Sequence, residues 1–143
     1  MDITTGTGAE WAIQQQLTRF YRSLDEQKFE KMAAIMTPDG TWTRAGKVLE
    51  GREGLLAGMA ERKADRNSRH ILTNFVVDFE GEGKATAEFY STAFVYEGEL
   101  GPRGDAPMDL PSSVGVYTAR MRLVDGEWLM EKLTSFPAFK RKK

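Results

Sequence analysis

Ser68-Arg69-His70-Ile71-Leu72-Thr73-Asn74-Phe75-Val76-Val77-Asp78-Phe79 is the stretch whose reading decides the fold. It reads as one long strand and carries the only histidine of the 143-residue chain. Ile71, Phe75, Val77 and Phe79 share one alternation phase, while His70, Leu72 and Asn74 share the other. A regular strand with the apolar phase inward points His70 away from the interior. A β-bulge near Thr73-Asn74 brings both sets inside. Without the bulge both sheet faces must be covered, the outer one by a partner subunit.

Working outward, the chain reads as helices first and long strands afterwards. Thr7 with Glu10 three residues on has the form of a capping box, opening a helix near Ala9 after a loose lead-in over 1–8. Ile13, Leu17, Phe20, Tyr21 and Leu24 recur at helical spacing and make one apolar stripe. A second helix is expected over about Glu26 to Met36, with Phe29, Met32, Ala33 and Met36 inward. Thr37-Pro38-Asp39-Gly40 reads as a turn, Thr41-Trp42-Thr43 as a short strand, and Gly46 as a turn before Lys47-Val48-Leu49. A third helix is expected over about Arg52 to Ala64. Three further strands follow, about Lys84 to Tyr96, Val114 to Val124 and Glu127 to Phe136, with Asp125-Gly126 as a tight hairpin signal. Between the first two of these lies Gly98 to Ser113, sixteen residues with three glycines and three prolines, a length typical of binding loops, lids or loose hairpin tips. The tail over 140–143 reads as solvated charge. The expected fold class is α+β, one domain over 1–143, with three N-terminal helices on a curved, mostly antiparallel sheet. Such a cone encloses an apolar interior suited to a small molecule.

Composition narrows the function. Twenty basic and twenty-one acidic residues leave a formal net charge of -1, which favours neither nucleic acid nor an anionic membrane. The chain has no cysteine, so disulfides, thiolate nucleophiles and Cys-based zinc sites are excluded. One histidine excludes a multi-histidine metal site within one chain. No signal-peptide pattern opens the chain and no apolar run reaches transmembrane length, which reads as cytoplasmic.

The order helix–helix–short strands–helix–four long strands resembles the SnoaL-like branch of the NTF2-like superfamily. The residues that carry the resemblance are Phe20-Tyr21 with Leu24-Asp25, Phe29, Pro38-Asp39-Gly40-Thr41-Trp42, Gly51-Arg52-Glu53-Gly54, Arg69-His70-Ile71-Leu72-Thr73-Asn74 and Asp125-Gly126-Glu127-Trp128. The superfamily includes dehydratases, dehydrohalogenases, ketosteroid isomerase-type enzymes, polyketide cyclases and binding-only domains, so the fold leaves the function open. In scytalone dehydratase and hexachlorocyclohexane dehydrochlorinase, an aspartate ending the first helix pairs with a histidine opening the long strand. Asp25 and His70 occupy those positions. Phe20 stands where the dehydrochlorinase has a lysine, and the dehydratase's second histidine has no counterpart here. Neither of those two reactions is therefore carried over.

Histidine is the side chain whose ordinary charge change falls near neutral pH. A carboxylate accepting from one ring nitrogen fixes the tautomer and leaves the other nitrogen to take a proton. The expected catalytic pair is thus His70 and Asp25, acting in elimination or isomerisation. Two plainer roles compete: His70 as a strand-end hydrogen-bonder, and Asp25 as the cap of the second helix. Tyr21, four residues before Asp25, shares its helix face and is a candidate donor to a substrate oxygen. Because the resembled fold places their segments around the cone, Trp42, Leu55, Met59, Phe89 and Tyr117 are expected to line the site, with plain core packing the alternative. Asn74 is expected either to bind a ligand or to satisfy local backbone. The resemblance implies a lyase or isomerase acting on a small, largely apolar oxygenated molecule, with no metal or organic cofactor. It also implies a homodimer or homotrimer. The alternative is a binding-only domain or accessory subunit with the same pocket.

Overall fold

The computed structural model describes residues 2–142. Three helices, α1 (Gly6–Asp25), α2 (Phe29–Ile35) and α3 (Gly51–Ala60), are combined with six strands. The strands are β1 (Met36–Arg44), β2 (Lys47–Glu50), β3 (Arg66–Phe79), β4 (Lys84–Glu97), β5 (Ser113–Val124) and β6 (Glu127–Lys140). They form one sheet in the order β2-β1-β6-β5-β4-β3. Every neighbouring pair is antiparallel except β1 and β6, which run parallel. This is an α+β fold with a mixed, mostly antiparallel sheet.

α1 is the spine of the core. Its stripe of Ala9, Ile13, Leu17, Phe20, Tyr21 and Leu24 is buried against the sheet, and each large apolar side chain so buried contributes ~1.5–3 kcal/mol. Ala85, Ala87 and Ala119 on the facing strands are also buried. Their small side chains leave room for Phe20, Met121, Trp128 and Met130 between the layers. The capping box does not form. α1 starts at Gly6, Thr5 occupies the N-cap position without a side-chain bond, and Thr7 lies inside the first turn. The lead-in is instead tied to the sheet, because the Trp128 indole N–H donates to the Ile3 carbonyl at 2.6 Å.

α1 ends in a Schellman motif: the Gln27 amide donates to Leu24 O and the Lys28 amide to Ser23 O, with Gln27 left-handed at φ 59°. That turn consumes residues 26–28, so α2 begins only at Phe29, later than the expected Glu26. Pro38-Asp39 is likewise no free turn but part of a wide irregularity inside β1. The β1–β6 register jumps there from Met36↔Met130 to Thr41↔Lys132. Gly40 is needed at that jump, since a Cβ would come within 3.0 Å of the Met130 carbonyl. Arg52 closes the end of α2, its Nε donating to Met36 O at 2.8 Å. α3 stops at Ala60, four residues before its expected end.

Both tight hairpins use paired left-handed residues, Ala45-Gly46 and Asp125-Gly126. The tail is exposed over 140–142, and one of its residues also contacts the long loop. The Arg141 amide donates to Ser112 O at 3.0 Å and its guanidinium pairs with Asp109 at 3.4 Å, pinning the long loop. Lys143 lies outside the described residues. No helix among the described residues is long and apolar enough to cross a membrane.

The decisive feature is in β3. Thr73 pairs with Tyr90 and Val76 with Glu88, so β3 carries one extra residue against β4. Asn74 takes a left-handed φ of 57° at that point, a conformation asparagine tolerates better than most residues. The inward phase therefore switches: Ser68, His70 and Leu72 face in before the bulge, and Phe75, Val77 and Phe79 after it. Ile71, grouped with the apolar phase in a regular strand, points outward and is exposed.

Candidate active site

The switch in β3 aims His70 at the last turn of α1. The Asp25 carboxylate meets it with two hydrogen bonds and takes a third from Ser68. Oδ1 lies 2.7 Å from His70 Nδ1, Oδ2 accepts from the His70 backbone N–H at 2.9 Å, and Oδ1 also accepts from the Ser68 hydroxyl at 2.7 Å. The side chains of Asp25 and His70 are only 8% and 11% exposed. Asp25 is not a helix cap, since Lys28 holds the N-cap position of α2 and no side chain caps it. Burial is the largest single influence on the Asp25 carboxyl and pushes its pKa up. The hydrogen bond and charge of the His70 ring, the Ser68 hydroxyl and the His70 amide together outweigh it, and the carboxyl lies below its usual range. An ionised Asp25 only accepts hydrogen bonds. In a neutral imidazole the Nδ1 must then carry the proton, leaving the Nε2 lone pair free.

Tyr21 packs on the dyad, its ring centroid 4.8 Å from that of His70. Its hydroxyl is buried without a hydrogen-bond partner of proper geometry, and the Tyr117 ring stands edge-on at 5.7 Å. Burial first, and the neighbouring Tyr117 phenol second, push the Tyr21 pKa well above the usual range, so the phenol keeps its proton.

Tyr21, His70, Trp42 and Tyr117 face a cavity of ≈ 240 Å³ at the open end of the cone. The other expected lining residues are elsewhere. Leu55, Met59 and Phe89 are buried in the core, where Phe89 stacks between Phe75 and Tyr117. Asn74 sits exposed at the bulge, where it supplies the left-handed residue. The sequence reading missed three arginines on the cavity wall, Arg44, Arg62 and Arg66, and the serines Ser68, Ser112, Ser113 and Ser135. Alternation held the signal for some of them: Arg44 follows Trp42 by two residues, and Arg66 and Ser68 precede His70 by four and two. Arg62 was hidden by the overlong third helix. With α3 ended at Ala60, it turns in and donates to Ser68 Oγ at 2.9 Å. Ser112 and Ser113 bring the end of the long loop to the cavity. A larger concavity of ≈ 340 Å³ beneath that loop is lined by Phe94, Leu100, Met108 and Leu110 and lacks the histidine. Among the described residues, no three or more His, Asp or Glu gather closely enough to hold a metal ion.

Fold and site define a small α+β cone with a buried Asp–His pair opening on a cavity. The chain belongs to the SnoaL-like domain family, whose model matches residues 7–134, within the NTF2-like superfamily. No curated protein matches it. Among solved structures it is similar to a protein from Catenulispora acidiphila in complex with S-DNPA, at 23% identity, covering 92% of this chain and 95% of that one with a TM-score of 0.74. It is similar to a hexachlorocyclohexane dehydrochlorinase of type 2 at 20% identity, with coverage of 92% and 86% and a TM-score of 0.74. A candidate scytalone dehydratase from Novosphingobium aromaticivorans shares 19% identity, with coverage of 91% and 84% and a TM-score of 0.70. At these identities the likeness establishes the fold. Relatives of this fold thus include dehydratases, dehydrochlorinases and proteins of unknown function.

Proposed function

We propose that this domain is a cofactor-independent lyase or isomerase in which His70 moves a proton. The observation that carries this reading is the 2.7 Å contact between Asp25 Oδ1 and His70 Nδ1, with the same imidazole lining the cavity. Asp25 holds the ring in the tautomer that leaves Nε2 as the base. Nε2 removes a proton from carbon next to a carbonyl, and the electron pair moves towards the carbonyl oxygen. Tyr21, a protonated phenol with no hydrogen bond of proper geometry among the described residues, donates to that oxygen as negative charge develops there. Departure of a hydroxyl from the next carbon, as water with the proton that Nε2 took, completes an elimination, while delivery of that proton to another carbon completes an isomerisation.

The substrate is a small oxygenated ring compound, its flat face against Tyr21, Trp42 and Tyr117. A plainer reading, ligand binding without chemistry, draws on the relative solved with a small organic molecule and needs only the cavity. The outer sheet face exposes Ile71, Val76, Tyr90 and Phe136, in keeping with the homo-oligomer that forms part of this proposal. A panel of β-hydroxy ketones and β,γ-unsaturated ketones separates the readings by loss of water or shift of the double bond. Turnover by the parent that falls ~10²–10⁴-fold in His70→Gln, with the circular dichroism spectrum unchanged, is expected for general base catalysis. Turnover that survives the substitution contradicts it.

A further inference from the structure

We propose that the cavity seats a carboxylate of its substrate between Arg44 and Arg62, as a handle remote from the reacting carbon. The chain as a whole is close to neutral, yet three arginines and no aspartate or glutamate line this cavity. Of the three, Arg66 already pairs with Glu97 at 3.0 Å, a carboxylate that Lys63 shares at 3.1 Å. Arg44 and Arg62 make no ion pair among the described residues. The Arg44 guanidinium is parked on the Trp42 ring, 4.8 Å from its centroid. Arg62 spends one amino group on Ser68, while its Nε is buried with no acceptor. Burial, together with repulsion from Arg66, lowers the basicity of both side chains, though a guanidinium stays charged throughout.

Arg44 and Arg62 are half-buried. A cation partly withdrawn from water without a counter-ion is unfavourable, and a planar carboxylate matches the guanidinium fork. The cavity is smaller than the ~300–1,000 Å³ of drug-sized pockets, which limits the ligand to a compact ring acid. Arg62 donates to Ser68, and Ser68 donates to Asp25. An anion on Arg62 is thereby linked to the dyad through two hydrogen bonds.

The inference rests on reading this cavity as the active site, but its test needs no turnover. Benzoate, its neutral isostere benzamide and phenyl phosphate are titrated into the full chain, with the His70 ring signals as the readout. Benzoate is expected to bind about tenfold or more tightly than benzamide, the scale of a charge-assisted bond, and to weaken as salt is raised. Arg44→Gln and Arg62→Gln each remove most of that preference, while His70→Gln retains benzoate binding by intrinsic fluorescence. Benzoate and benzamide binding alike, or no benzoate binding at millimolar concentration, overturns the inference and leaves the dyad untouched. Phenyl phosphate binding more tightly than benzoate also overturns it, in favour of a phosphate ligand. Loss of the dyad instead shows as unchanged His70 signals in Asp25→Asn, whatever benzoate does.

Discussion

The two halves of β3 are one strand with two tasks. Before the bulge, Ser68 and His70 turn polar groups toward Asp25 and the arginine-lined cavity. Beyond it, Phe75, Val77 and Phe79 pack against the core, Phe75 stacked on Phe89 at 5.0 Å and Phe79 edge-on to Trp128 at 6.4 Å. One extra residue divides them. In a regular strand of this sequence, one set or the other faces solvent, because alternation has period two. The bulge lets a single strand carry a packed core and a site that needs a buried carboxylate.

That division is broken most severely on the core side. Phe89→Ala removes the ring stacked between Phe75 and Tyr117, and urea unfolding is expected to show a loss of ~3–5 kcal/mol, the range for a fully buried phenylalanine. A loss below ~1 kcal/mol instead places Phe89 on a cavity wall that tolerates truncation. On the site side the sensitive variable is acid. The Asp25 carboxyl has a folded pKa below its unfolded value, so the stability it contributes is complete above ~pH 4 and is lost as pH falls through the depressed folded value. The difference in unfolding free energy between the parent and Asp25→Asn is therefore expected to close as pH falls below that point. A difference that does not change with acid contradicts the ionised, hydrogen-bonded Asp25. Phe89→Ala, whose stacked neighbours Phe75 and Tyr117 carry no carboxyl, changes stability equally across the same acid range.

The comparison also shows what was legible in the sequence. Helical spacing exposed the α1 stripe, and the Asp-Gly pair marked the β5–β6 hairpin. The conflict of phases between His70 and Phe75 called for either a bulge near Thr73-Asn74 or a covered outer face, and the β3–β4 register shows the bulge. Spacing does not report what lies opposite a buried side chain, so Leu55, Met59 and Phe89 gave no sign that they meet other core groups rather than a cavity. The arginines were harder still. Arg62 becomes a site residue only because α3 stops four residues early. The Thr37-Pro38-Asp39-Gly40 segment reads locally as a turn, but the parallel pairing of β1 with β6 is a long-range event that local residues do not encode. Asp25 carries a helix-cap pattern that the Schellman turn overrides by moving the start of α2.

The central claim is that Asp25 fixes the His70 ring for proton transfer. With one histidine in the chain, nitrogen-detected NMR gives a single set of ring signals to follow in the parent and in Asp25→Asn. The structure predicts that the neutral ring in the parent is held with its proton on Nδ1, and that this preference is disturbed in the variant. The same tautomer balance in both proteins contradicts the pairing, and with it the catalytic assignment of Asp25 and His70.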